Sequence, residues 1–182
     1  MNFFQAIILG IVQALTEYLP VSSSAHIRII GDLMLGADPG AAFTAIIQIG
    51  TELAVILYFR RDIINILSHW FGCLFGKNGP DWRARMGRGD KYATLGWNVI
   101  VGSIPIIILG FTLQNIIETS LRNLWITVTV LFLFGLLLWI VDARSRQIKT
   151  MDDMNYRDAF LFGLGQSMAL IPGVSRSGGT IT

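Results

Sequence analysis

The chain has 182 residues, 53% of them apolar but only 14% charged, whereas soluble domains run at about 25% charged. Fourteen basic and twelve acidic residues leave a net charge of +2. That is too balanced for a nucleic-acid binder, and a mean hydropathy of +0.58 excludes a disordered chain. The single cysteine, Cys73, forms no internal disulfide, and the nineteen glycines suit membrane helices better than soluble ones. The composition predicts an all-α polytopic membrane protein.

In chain order, residues 1–16 carry no charge and Glu17 closes that run just before Pro20. No basic residue precedes the run and no A-x-A site follows it, which speaks against a signal peptide. Two short helices, about 3–18 and 26–36, flank the break Pro20-Val21-Ser22-Ser23-Ser24. Each is too short to cross a bilayer comfortably. They read as a re-entrant pair over 1–36, whose unpaired loop must be buried in protein or line a wet cavity.

Three segments have the length and polarity of spanning helices. Residues 43–59 hold one charge, Glu52, while 92–117 and 123–141 hold none. Loops 60–91 and 142–158 are rich in arginine and lysine, and 118–122 has only Arg122. The positive-inside rule puts the first two in the cytoplasm and the third outside. Residues 159–182 begin a second re-entrant pair, cut by Pro172 and Gly173.

The two re-entrant segments resemble each other. Ala6, Gly10 and Gln13 recur at the same spacing as Ala159, Gly163 and Gln166. Leu19-Pro20-Val21-Ser22-Ser23 is then echoed, after a one-residue slip, by Ile171-Pro172-Gly173-Val174-Ser175. Copies entering from opposite sides predict inverted-topology repeats, with a ligand site where the broken helices meet. A second copy that stops at Thr182 reads as a chain truncated at its C-terminus.

Three polar clusters interrupt the apolar pattern. Gln13 and Glu17 share one helix face, and a carboxylate inside an apolar stretch is costly enough to suggest function; the alternative is an interfacial Glu17 that snorkels. The second cluster is Ser22, Ser23, Ser24 and His26. Its serines can cap the next helix, whose N–H groups suit an anion, and His26 is either an acid–base group or an ordinary hydrogen-bonded residue.

The third cluster runs from Pro172 through Gly173, Ser175, Arg176, Ser177 and Gly178 to Thr180. Arg176 offers a fork that fits phosphate bidentately, with an ion pair to Glu17 as the alternative. Weaker signals are Gln48 with Glu52, bonding between helices or serving a site, and Arg28 with Asp32, expected to pair. His69 beside Trp70 receives no role. No Walker loop, zinc spacing or G-x-S-x-G elbow is present.

Gln13-x-x-x-Glu17 with Pro20-Val-Ser-Ser-Ser-Ala-His26, and later Pro172-Gly-Val-Ser-Arg-Ser-Gly, resembles the bacitracin-resistance family of undecaprenyl-diphosphate phosphatases. The resemblance covers essentially the whole chain. It implies a bacterial inner-membrane enzyme that regenerates the lipid carrier of peptidoglycan synthesis. It also implies interlocked inverted repeats and a site opening to the periplasm.

Glu17, Ser23, His26 and Arg176 then match the family's functional positions, as do Ser24, Ser175 and Ser177. Many relatives carry glutamate where this chain has Gln13. The expected chemistry is a diphosphate clamped by Arg176 and by backbone N–H groups of 173–177. Ser23 attacks or positions water, with His26 moving the proton. Glu17 holds Mg²⁺ or Ca²⁺, or orients His26; Gln13, Ser24, Gly173, Ser175, Ser177 and Thr180 contact the substrate. The expected partners are a polyprenyl diphosphate lipid and the bilayer. A transporter or flippase of a phosphorylated polyprenyl lipid is the competing reading.

Overall fold

The two resembling segments open with the same device. Asn2 accepts a hydrogen bond from the Gln5 N–H while the Gln5 side chain accepts from the Asn2 N–H, a capping box that starts α1 (Phe3–Thr16). Asn155 and Asp158 repeat that box at α8 (Tyr156–Ser167). The correspondence extends to the far side of each break. There α2 (Ser23–Leu35) and α9 (Arg176–Ile181) begin, and a serine pair spans each junction, Ser22 with Ser24 at 3.2 Å and Ser175 with Ser177 at 2.9 Å.

The computed structural model describes residues 1–119, 123–144, 150 and 153–181. Residues 120–122 of the predicted outward loop, with Arg122, residues 145–149 and 151–152 of the second basic loop, and the terminal Thr182 lie outside them. Within the described residues the chain is helical, without a strand. Besides the two broken pairs it contains α3 (Ala41–Tyr58), α4 (Arg60–Leu74), the single turn α5 (Trp82–Arg85), α6 (Lys91–Thr119) and α7 (Leu124–Arg144). A 3-10 turn, Met168–Leu170, leads from α8 into the second break.

Three helices are long and apolar enough to cross a membrane: α3, α6 over Lys91–Gln114, and α7. They correspond to the predicted 43–59, 92–117 and 123–141. Only 6%, 17% and 6% of their most apolar windows are buried within the protein. Unburied apolar helices of this length suit lipid or contact with other membrane helices.

The basic loop 60–91 holds a helix that its charges conceal. α4 starts on Arg60 and Arg61, then packs against α6. Trp70 meets Trp97 edge to face, with centroids 5.3 Å apart. His69 Nδ1 lies 2.8 Å from Asp90 Oδ2, and Asp90 Oδ1 accepts from the Ala93 N–H at 3.1 Å, so the carboxylate joins α4 to the first turn of α6. Burial pushes the Asp90 carboxyl up, but its hydrogen bonds with His69 and Ala93 outweigh this and hold it below the ordinary 3.8. Cys73 is buried beneath the same group, and burial, reinforced by the Asp90 charge, pushes its thiol up.

Small residues let the second repeat pack closely. α8 lies along α6, and a Cβ on Gly163 would strike the Gly102 carbonyl. Such approaches of backbone to backbone are the usual cement of membrane helices. Gly173, at φ +105°, puts the second break hard against α7; a Cβ there would sit 2.6 Å from the Thr127 carbonyl oxygen. In the first break Ser22 takes the left-handed φ of 62° without being glycine, a conformation that L-residues rarely adopt.

Arg28 departs from expectation. It pairs with Asp38 rather than with Asp32. Gly36 ends α2 in a left-handed turn, its N–H donating to the Asp32 carbonyl at 2.8 Å, and this reverses the chain so that Asp38 returns to the helix.

Candidate active site

Glu17 follows directly on α1, where its side chain faces both breaks. It is largely buried, its side chain 11% exposed, and it receives donors from three directions. Gln13, one turn earlier, donates from Nε2 to Oε2 at 2.7 Å. Ser23, the first residue of α2, donates from Oγ to the same oxygen at 2.5 Å. Arg176, the first residue of α9, forms an ion pair through Nη2 with Oε1. The opening residues of the two post-break helices thus converge on one carboxylate.

Neighbours fix this arrangement. Ser177 Oγ donates to the Leu19 carbonyl at 3.1 Å, tying the second break to the first. Tyr18 Oη donates to the Thr51 carbonyl at 2.8 Å, and Gln13 Nε2 reaches Thr51 Oγ1 at 3.4 Å, so α3 is pinned to α1 beside the site. Arg176 Nη1 lies 3.4 Å from Glu52 on that helix. A cavity of about 290 Å³ opens among Glu17, Ser23, Ser24, Gln48, Ser175 and Arg176.

The predicted residues divide into those brought together and those set apart. Gln13, Glu17, Ser23, Ser24, Ser175 and Arg176 bond to or line one polar centre. His26 does not join it. Helical side chains lean toward the N-terminus, and His26 Nδ1 therefore meets the Ser22 carbonyl one turn back, at 2.9 Å. Its ring lines a second cavity of about 250 Å³ with Pro20, Phe134, Gly173 and Ser175. The Ser23 hydroxyl is thus engaged by Glu17 and not by His26; among the described residues Ser22 and Ser175 border both cavities.

Other expectations also shift. Thr180 Oγ1 turns back to the carbonyls of Arg176 and Ser177, at 3.1 and 3.0 Å. Gly173 packs against α7 on one side and borders the cavity beside His26 on the other. Val174 N–H is engaged by the Ile171 carbonyl at 3.1 Å, so one of the backbone donors expected over 173–177 is already taken. Capping is asymmetric: Ser175 Oγ accepts from the Gly178 N–H at 3.2 Å, whereas Ser22 makes no such bond.

Three participants were not singled out, or only faintly, in the sequence. Tyr18 stands beside Glu17 with no pattern to mark it. Thr51 is one hydroxyl in an apolar helix. Glu52 is the lone charge of that helix, and this was the available signal.

No group of three or more histidine, cysteine or acidic side chains suited to a metal occurs among the described residues. Two carboxylates, Glu17 and Glu52, do flank Arg176. Both are paired with the guanidinium; a hard divalent cation that takes a single protein carboxylate would find it in Glu17, with phosphate oxygens and water completing its shell.

Apolar spans surrounding a carboxylate, hydroxyl and guanidinium gathered from two broken helices define a multi-pass helical membrane protein with a polar site. The model of the bacitracin resistance protein BacA family matches residues 6–182, and the chain belongs to that family. It is 89% identical over all 182 residues to an undecaprenyl-diphosphatase of Bifidobacterium longum subsp. infantis, covering 62% of that protein. It is 71% identical to one of Bifidobacterium adolescentis at the same coverage, and 54% identical to one of Micrococcus luteus, covering 63% of it. The chain therefore spans about three fifths of the length of these curated relatives.

Proposed function

We propose that the protein to which this chain belongs hydrolyses undecaprenyl diphosphate to undecaprenyl phosphate and inorganic phosphate in a bacterial cell membrane, with a site open to the outer side. The observation that carries this reading is the convergence of Ser23 and Arg176 on Glu17. It supplies a nucleophile or water-orienting hydroxyl, a proton acceptor 2.5 Å away, and a cation for the transferred phosphate. The names of the relatives support hydrolysis, and no observation favours the transporter alternative.

Diphosphate cleavage asks for charge neutralisation and an in-line attacking oxygen rather than for covalent electronics. Arg176 exchanges part of its carboxylate pairing for the terminal phosphate. Ser23 Oγ, or a water held by it, attacks the terminal phosphorus as Glu17 takes the proton. The bond from phosphorus to the bridging oxygen breaks, and the lipid monophosphate leaves as the anion. Where water attacks, inorganic phosphate is formed at once; where Ser23 attacks, a water then cleaves the phosphoserine to release phosphate and return the hydroxyl. Ser24 and Ser175, on the cavity wall, offer further hydroxyl donors to phosphate oxygens. His26 sits one turn from the reacting hydroxyl and acts on the shape of the break by holding the Ser22 carbonyl. A divalent cation, Mg²⁺ or Ca²⁺, fits the Glu17 side of the site, where it would neutralise charge on the diphosphate.

The test is phosphate release from a polyprenyl diphosphate by the full-length protein in detergent. Wild type should turn over. R176A should lose at least a hundredfold in kcat/KM, in line with the loss of a preorganised charged donor, about 2.7–4 kcal/mol. An R176A protein that hydrolyses at the wild-type rate refutes the clamp.

A further inference from the structure

Glu52 is a charge without an evident purpose in an otherwise apolar spanning helix. Its side chain is 54% exposed, and a carboxylate at that depth is expensive unless it serves a function. Gln48, one turn earlier on the same face, lines the site cavity. The position of Glu52 is not accidental: the preceding residue, Thr51, is held from α1 by both Tyr18 and Gln13.

Arg176 is thereby shared. Nη2 is committed to buried Glu17, and Nη1 reaches exposed Glu52 at the longer distance of 3.4 Å. One guanidinium between two carboxylates leaves the trio with a net charge of −1, unfavourable for an arriving phosphate. The longer contact, to the less buried carboxylate, is the weaker of the two, so the Nη1 arm is the one that opens to a phosphate oxygen.

We propose that Glu52 is a positioning residue that competes with phosphate for Arg176 Nη1 and so promotes release of the cleaved phosphate. This rests on the diphosphatase reading above. Substrate binding displaces Glu52 from Nη1 while Glu17 keeps hold of Nη2. After cleavage the returning Glu52 carboxylate repels and replaces the phosphate anion. No covalent bond is made or broken in this exchange.

The assignment is tested on the full-length protein by measuring inhibition of hydrolysis by added inorganic phosphate. In E52Q the phosphate inhibition constant should fall about three- to tenfold, the scale expected for a half-exposed charge contact. KM for the diphosphate should fall with it, and steady-state kcat should drop more than the single-turnover cleavage rate. E52D keeps the charge and should return phosphate inhibition to within about twofold of wild type.

Unchanged or weaker phosphate inhibition in E52Q overturns the assignment, as does an E52D protein indistinguishable from E52Q. A merely structural Glu52 would lower thermal stability without moving the inhibition constant. If E52Q does not fold, E52S is read by the same criteria. Wild-type protein that releases no phosphate from any diphosphate removes the diphosphatase reading and this one with it. An active wild type with unaltered E52Q inhibition removes only the role of Glu52.

Discussion

Glu17 illustrates how a buried charge becomes tolerable. Its two oxygens accept from Gln13, Ser23 and Arg176, so its desolvation is offset by charge-assisted bonds. Removing the charge leaves Arg176 without its closest partner. Because the Arg176 side chain is 39% exposed, water and Glu52 compensate in part. E17Q should therefore cost about 1–3 kcal/mol, less than the loss of a fully buried pair, together with nearly all turnover. Thermal unfolding and phosphate release measured on the same preparation check both. Ser23 was legible as a polar residue in an apolar context, but its partner was not. His26 is nearer in sequence, and only the side-chain direction imposed by α2 turns that imidazole away. The guanidinium that completes the centre lies 159 residues from Glu17, and that pair, the alternative partner expected for Arg176, was legible only through the two matching helix breaks.

At the scale of elements, the joints of the fold are backbone contacts and a carboxylate bridge. Gly163 on α8 meets the Gly102 carbonyl on α6 so closely that a methyl group must force them apart. G163A should destabilise the protein by about 1–3 kcal/mol, as overpacking does, despite alanine's better helix propensity. A melting temperature at or above wild type would show that the helices separate freely.

The bridge between α4 and α6 makes a different prediction. Asp90 is held below its ordinary value, so its contribution is present above about pH 3.8 and disappears as pH falls through its folded value. D90N should lower stability at pH 7 by about 1 kcal/mol, or about 2–4 °C. The gap from wild type should close as pH drops below about 3.8. A constant gap across that range would mean that the carboxylate charge is irrelevant. α4 itself was hidden in the sequence because its first residues, Arg60, Arg61 and Asp62, read as a topogenic loop. α3, α6 and α7 were legible because long windows with at most one charge have few alternatives to a helix in lipid.

For the whole molecule, the unburied apolar surface implies a bilayer around the three spans. Trp125 and Trp139, 80% and 70% exposed, lie near opposite ends of α7. Fourteen residues of helix separate them by about 21 Å, less than the roughly 30 Å hydrocarbon core, so Trp125, at the start of α7, is the interfacial anchor and Trp139 lies deeper. In single-tryptophan variants reconstituted in vesicles, Trp125 should be quenched more by lipids brominated near the headgroup, and Trp139 more by lipids brominated further down the chain. The reverse pattern for either would move α7 out of the proposed depth. Sequence reasoning also found the repeat, through Ala6, Gly10 and Gln13. The matched capping boxes of Asn2 and Asn155 give it a physical basis. The first-break serine in left-handed backbone had no such signature, since nothing about Ser22 distinguishes it from Ser23 or Ser24.

The long separation of Glu17 from Arg176 has a consequence for biogenesis. Ribosomes add about 5–20 residues per second, so some 8–30 seconds pass between synthesis of the acid and of its counter-ion. Throughout that interval the nascent first hairpin must harbour an acidic group with only its own short-range donors, the amide of Gln13 and the hydroxyl of Ser23. Those two contacts thus serve the protein before it has an active site, as a chaperone for its own carboxylate.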